Sequence, residues 1–304
     1  MPRGMFRKFA HRTFGLAFAL SLCVGVWEFA FAHRTAAAAE VTRDSAWVLV
    51  WSDEFNQPNG SPPDPTKWNF DEGVGNNGWG NKELEYYTNR PKNVSIQNGN
   101  LVITAIQESY VDSTGVTRSF TSSRIKTRDL FAQAYGRFEA RIKIPAGSGL
   151  WPAFWMLGDN IKSTGWPSCG EIDVMENRGK EPATMHGTIH GPGYSGSAGV
   201  SSAYALANER RFADDYHVFA VEWEPTAIRF YVDDDLYATR TPADLPSGTK
   251  WVFDHPFFVL LNLAVGGNWP GPPDAATAFP ASMLVDYVRV YQRPGASPAT
   301  QMPH

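Results

Sequence analysis

Nine consecutive residues from Gly136 to Ile144 (Gly-Arg-Phe-Glu-Ala-Arg-Ile-Lys-Ile) alternate polar and apolar side chains, and this period of two is the strongest constraint on the fold. In a β-strand successive side chains point to opposite faces, so such a run has one buried and one wet face. Comparable short runs recur at Leu101 to Ile106, His217 to Trp223, Ile228 to Val232, Phe257 to Leu263 and Val285 to Tyr291, separated by Gly, Pro, Asn and Asp. No stretch of a dozen residues keeps helical periodicity, although Ser202 to Arg211 has room for a helical turn or two. The pattern predicts an all-β sandwich in one domain, about 43 to 293. The Pro/Ala/Ser-rich tail, 294 to 304, is expected to be disordered.

One strand-like stretch carries dense chemistry: Glu171-Ile172-Asp173-Val174-Met175-Glu176 places three carboxylates in six residues. Glu171 and Asp173 share a face, and Ile172 and Val174 point the other way. Strict alternation would turn Met175, not Glu176, to the carboxylate face. A β-bulge at Val174-Met175 brings Glu176 back, and bulges are over-represented beside active sites. The two glutamates are then about 13 Å apart along the backbone at about 3.3 Å per residue. Side chains leaning inward bring the carboxyls to about 5 Å, the separation of a retaining glycosidase pair. Taken alone, the cluster reads equally as an acidic strand edge or a calcium site.

Trp151 and Trp155, in Leu150-Trp151-Pro152-Ala153-Phe154-Trp155, share a strand face and suit the apolar faces of pyranose rings, while the core is the competing place for either. Pro152 argues for an edge or bulge position there. His186, Thr188 and His190 share a face of another alternating run. A nucleophilic pairing of Cys169 with a histidine has no further support in the sequence.

The first forty residues are of another kind. Arg3, Arg7, Lys8 and Arg12 precede an apolar run from Phe14 to Val26, then Ala30-Phe31-Ala32 and Ala36 to Ala39, the pattern of a secretory signal cleaved after Ala32 or Ala39. The apolar run is too short to span a bilayer, which takes about 20 residues. Leu22 stands where a lipoprotein signal needs a small residue before Cys23. Loss of residues 1–39 removes five basic and one acidic residue and moves the formal charge from −4 to −8. An acidic chain without blocks of like charge argues against nucleic-acid or anionic-membrane partners. Cys169 is then the single cysteine left, so no intramolecular disulfide forms.

Several motifs agree with one another: WSDEF from Trp51, NNGWGNKELEYYT from Asn76, TSSRIKT from Thr121, YGRFEARIKIP from Tyr135, GLWPAFWMLG from Gly149, WPSCGEIDVMEN from Trp166, GTIH from Gly187, FDHPFFVLLNLAVGGNWPG from Phe253 and VDYVRVYQ from Val285. Together they resemble glycoside hydrolase family 16, in its laminarinase-like endo-1,3-β-glucanase branch. Met175 is the extra residue that marks the bulged form of the family's carboxylate signature.

The resemblance implies a jelly-roll of two curved antiparallel sheets with a concave sugar cleft. It matches Glu171 to the nucleophile, Glu176 to the general acid/base and Asp173 to the residue between them. Trp151, Trp155 and His190 match cleft positions beside these, Arg124 and Trp269 match positions holding sugars on the non-reducing side, and Asn77, Asn81, Trp166 and Asn262 match cleft neighbours. Glu54, Gly99 and Asp286 match a structural calcium site; catalysis needs no cofactor. The expectation is a secreted monomer that hydrolyses β-1,3 or mixed β-1,3/1,4 glucans. A transglycosylase on the same scaffold and a non-catalytic glucan-binding protein are the rivals. The intact carboxylate set speaks against the second, since recognition needs no acid/base pair. Branches acting on sulfated or galactose-based polymers fit less well, because no clustered basic groove stands ready for sulfate.

Overall fold

A computed structural model describes residues 47–208 and 210–294. The signal segment expected at 1–39 and the tail from 295 onward lie outside the described residues. The first eight strands are β1 (Val48–Asp53), β2 (Asn69–Asp71), β3 (Glu85–Tyr87), β4 (Val94–Gln97), β5 (Asn100–Val111), β6 (Thr117–Ser122), β7 (Arg124–Lys126) and β8 (Gly136–Lys143). After them come β9 (Leu150–Gly158), the single-turn helix α1 (Ile161–Thr164), β10 (Glu171–Glu176), β11 (Thr184–His190) and β12 (Val200–Ala205). The last strands among the described residues are β13 (His217–Glu224), β14 (Ala227–Val232), β15 (Asp235–Arg240), β16 (Phe257–Val265) and β17 (Ala281–Gln292). Every alternating run named above is a strand.

Two sheets make the sandwich. One has the order β12-β11-β10-β9-β16-β7-β2, and the other runs β15-β14-β13-β8-β17-β5-β6-β3, with β1 added beside β17 and β4 beside β5. Pairing is antiparallel except between β3 and β6, which run parallel. A parallel pair needs a long crossover, and the β4–β5 hairpin between them supplies it. The core lies between the sheets: Phe154, Met156, Ile172, Val174 and Met175 from one meet Phe138, Ile142, Phe219, Val221 and Trp223 from the other. Deep burial of this kind contributes about 1.5–3 kcal/mol per large apolar side chain. In β16 all nine residues are buried. On its other face Phe258 and Leu260 pack with Ala132, Leu157 and Cys169, and Trp155 packs against this second cluster.

Two local expectations change. Residues 202–205 are strand, not helix, because β12 pairs residue for residue with β11 from Ile189↔Val200 to Thr184↔Ala205. The ladder satisfies the backbone there, and the side chains alternate between half-buried and exposed. Pro152 lies in β9, the central strand of its sheet, not at an edge. It is tolerated because β10 pairing stops at Glu176↔Ala153, and beyond that point Pro152 uses its carbonyl to accept the Asn177 N–H at 3.3 Å.

Candidate active site

Gly170 (φ 72°) opens β10; a side chain there would meet the Phe257 ring at 2.8 Å, so the turn into the strand requires glycine. The register against β9 runs Asp173↔Trp155 and then Met175↔Phe154, and against β11 it runs Asp173↔Thr188 and then Glu176↔His186. Both shifts place the bulge at Val174-Met175. Both of these side chains are buried in the core, which leaves Glu171, Asp173 and Glu176 toward the opposite face. Gly187 lies opposite the bulge, and a Cβ there would sit 2.3 Å from the Tyr237 hydroxyl.

Each carboxylate has its own orienting partner. The Trp166 indole N–H donates to Glu171 Oε2. Trp151 Nε1 donates to Glu176 Oε1 at 2.9 Å. Asp173, only 2% exposed, lies with Oδ2 3.0 Å from His190 Nε2 and shares a hydrogen bond with the Glu171 carboxyl. Burial, then the charge of Asp173, pushes Glu171 up to about 8, against the pull of His190. Burial and the charge of Asp173 likewise hold Glu176 well above the usual carboxylate range. Asp173 is also raised, by burial, and the hydrogen bond from Glu171 opposes the rise. A set of this kind keeps protons at neutral pH that isolated carboxyls would have lost.

The strand neighbours bring most of the expected binding residues to the same face. Trp155 donates from Nε1 to Asn262 Oδ1 at 2.7 Å. The guanidinium of Arg124 lies 4.6 Å from the Trp155 ring centre and 4.7 Å from that of Trp79, and its Nε forms an ion pair with Asp71 Oδ2 at 3.0 Å. Trp269 packs 5.4 Å from Trp151 and 5.1 Å from His186, and Arg178 sits over it at 5.0 Å. The Asn81 carbonyl accepts the N–H of Asn268 at 2.7 Å and so fixes the turn carrying Trp269. Trp166 is 49% exposed, open to a ligand. Asn77 is exposed, and its Oδ1 accepts from Arg118 at 3.3 Å, a contact that does not tie it to the carboxylates.

No period or motif spacing in the sequence singles out Trp79, Asp71, Tyr87 or Glu83 as part of the site. A Trp among glycines in GNNGWGN was the available signal for Trp79. For metals, Glu171, Asp173 and His190 offer ligand atoms within 4.8 Å of one another. Glycoside hydrolysis by paired carboxyls needs no metal there. Of the expected calcium residues, Glu54 follows β1, Gly99 precedes β5 and Asp286 lies in β17, where β5 ends its pairing at Leu101↔Val285 and β1 reaches Asp53↔Val288. As arranged, Arg289 donates to both Glu54 oxygens at 2.9 and 2.8 Å, and Arg141 donates to Asp286 at 2.7 Å.

The model of the family "Glycosyl hydrolases family 16" matches residues 81–289, which include the whole carboxylate strand. The chain belongs to that family. It is a glycoside hydrolase of the all-β jelly-roll kind. Among family 16 relatives, a beta-glucanase of Rhodothermus marinus is 41% identical over 301 residues, spanning 96% of this chain and 98% of the relative. The endo-beta-1,3-glucanase of Pyrococcus furiosus is 51% identical with a TM-score of 0.78, covering 82% of this chain and 96% of its own. The laminarinase catalytic domain of Thermotoga maritima is 49% identical with a TM-score of 0.77, covering 81% and 98%.

Proposed function

We propose that this chain is a secreted endo-β-glucanase that cleaves β-1,3 or mixed β-1,3/1,4 glucans with retention at the anomeric carbon. The observation that carries the reading is the bulged β10 strand, which presents Glu171, Asp173 and Glu176 to one face between Trp151 and Trp155. The names of its relatives support the substrate class.

Glu171 attacks the anomeric carbon while Glu176, kept protonated by burial, gives its proton to the glycosidic oxygen as that bond breaks. The products are a leaving glucan with a free hydroxyl and a glycosyl ester of Glu171. Glu176, now ionised, takes a proton from water, and the water oxygen displaces Glu171 from the sugar. Asp173 takes up the proton that it shares with Glu171, so that the nucleophile is ionised when it attacks. The indole N–H groups of Trp166 and Trp151 hold the two glutamates in place. Trp151, Trp155, Trp269 and Arg124 hold sugar rings along the cleft, with His190, Trp166, Asn81 and Asn262 beside them.

One assay tests the whole reading on protein recovered from the culture medium. Soluble oligosaccharides from laminarin or lichenan are expected, with the β-anomer appearing first by proton NMR. Turnover of agarose alone would remove the substrate class, and a first-formed α-anomer would remove the retaining mechanism. Activity confined to the cells would remove export.

A structural Ca²⁺ held by Glu54, Gly99 and Asp286 is part of the same proposal, since hard oxygen donors suit it. It would take the two carboxylates from Arg289 and Arg141. Chelator is then expected to lower the melting temperature by a few degrees without touching the cleft, because a ligand of the folded form stabilises by mass action. An unchanged melting curve together with a metal-free elemental analysis would leave the two arginine pairs as the whole of that site.

A further inference from the structure

The segment from Glu83 to Tyr87 is turned inside out. Glu83, Glu85 and Tyr87 are buried at 7%, 0% and 0% exposure, while Leu84 between them is 37% exposed. Among the described residues no lysine or arginine forms an ion pair with either glutamate. Buried carboxyls are costly unless hydrogen bonds hold them. Glu85 Oε2 accepts the Val265 N–H at 2.6 Å, and burial keeps its carboxyl well above the usual range.

Glu83 has a different task. Its Oε2 accepts the Tyr87 hydroxyl at 2.9 Å, the Tyr87 oxygen accepts Asn262 Nδ2 at 3.1 Å, and Asn262 Oδ1 accepts Trp155 Nε1 at 2.7 Å. Every donor in this line points away from Trp155, so the line has one sense and needs an acceptor at its inner end. A glutamate supplies one; an apolar residue would leave the Tyr87 hydroxyl buried and unsatisfied. The Tyr87 ring also lies 5.7 Å from Trp79, the other wall of the Trp79–Arg124–Trp155 stack. Tyr87 thus braces both walls from below.

We propose that Glu83 and Tyr87 are positioning residues for the cleft: acting through Asn262, they fix the plane of the Trp155 indole, and with it the Arg124 stack, against which a glucan ring binds. The proposal rests on the glucanase reading above. Chains of hydrogen bonds running in one sense reinforce one another, and a platform fixed in advance binds without an ordering cost.

Tyr87→Phe deletes the hydroxyl and keeps the ring. KM for laminarin is expected to rise about fivefold, the scale of one lost hydrogen bond, with kcat within about twofold. On a Trp155→Phe background, which lacks the indole N–H, the same change should add nothing further to KM. Glu83→Ala should behave like Tyr87→Phe, and Glu83→Gln, whose amide carbonyl still accepts, should restore most of the loss. A second readout needs no substrate: in ¹⁵N-labelled protein the Trp155 indole resonance, identified by its loss in Trp155→Phe, should shift and exchange faster with solvent in Tyr87→Phe. KM effects that add, or an unmoved indole resonance in folded Tyr87→Phe, would overturn the proposal. An unmutated chain inert toward laminarin would count against the substrate reading instead, and the indole resonance would still decide this one.

Discussion

Replacing Glu171 by glutamine is expected to abolish turnover and, above neutral pH, to make the protein more heat-stable. The first effect follows from the proposed chemistry: without a carboxylate no glycosyl ester forms, and loss of such a nucleophile costs about four orders of magnitude in kcat or more. The second follows from linkage. Burial and Asp173 raise the folded-state pKa of Glu171 to about 8, from its ordinary value of 4.5. Between those values the folded chain holds a proton that the unfolded chain has released. The stability this group contributes is therefore fully present below pH 4.5 and is lost as pH rises through 8. Glutamine cannot ionise, and its carbonyl still accepts the Trp166 N–H. Because water enters the cleft and screens the charge, only part of the about 1.4 kcal/mol per unit is realised. At about 2–4 °C per kcal/mol for a domain of this size, a gain of about 3–6 °C is expected at pH 8 and none at pH 4. Melting curves of both proteins across that range check it. An equal shift at both pH values would mean that packing, not charge, sets the difference.

How far the sequence reveals this site depends on which contacts are local. The bulge is legible because Glu-x-Asp-x-x-Glu cannot put three carboxylates on one face of a regular strand, and both side chains at the bulge, Val174 and Met175, are apolar enough to bury together. The pairing of Trp151 with Glu176 follows from the same register, since Ala153 lies opposite Glu176. What lies beneath the cleft is not legible. Asn262 and Tyr87 are 175 residues apart, and no period within either segment announces their meeting. The inverted pattern at Glu83, Leu84 and Glu85 is visible in the sequence, yet an acid at every second position reads as a wet strand face until the parallel pairing of β3 with β6 is known. Asn93, in an Asn-Val-Ser glycosylation pattern, is fully buried. It accepts from Thr88 at 2.6 Å and donates to Thr104 and Thr121 at 3.0 Å, so no glycan can be attached to the folded chain. Composition rules treat that asparagine as surface; tertiary hydrogen bonding places it inside.

Glu176→Ala is expected to separate the two steps of the reaction. On laminarin the leaving oxygen needs a proton from Glu176, so kcat should fall by about 10²–10⁴-fold, the range of general acid catalysis. An aryl glucoside with an acidic phenol needs no such proton, and its first step should survive, leaving a burst of phenol as Glu171 is glycosylated. The second step should stall, because no base remains to activate water. Azide needs no base: it attacks the anomeric carbon, displaces the Glu171 carboxylate and releases a glycosyl azide. The removed carboxylate had stood against the Trp151 N–H at 2.9 Å, and its loss leaves an opening on the leaving-group side through which the anion can enter. Entry from that side, after one inversion at Glu171, gives a β-glycosyl azide, which proton NMR distinguishes from the α form by its anomeric coupling. An α-azide would mean a single displacement without a glycosyl-enzyme, which is incompatible with Glu171 as the nucleophile. No rescue at all, with the phenol burst also absent, would assign Glu176 to binding and not to proton transfer.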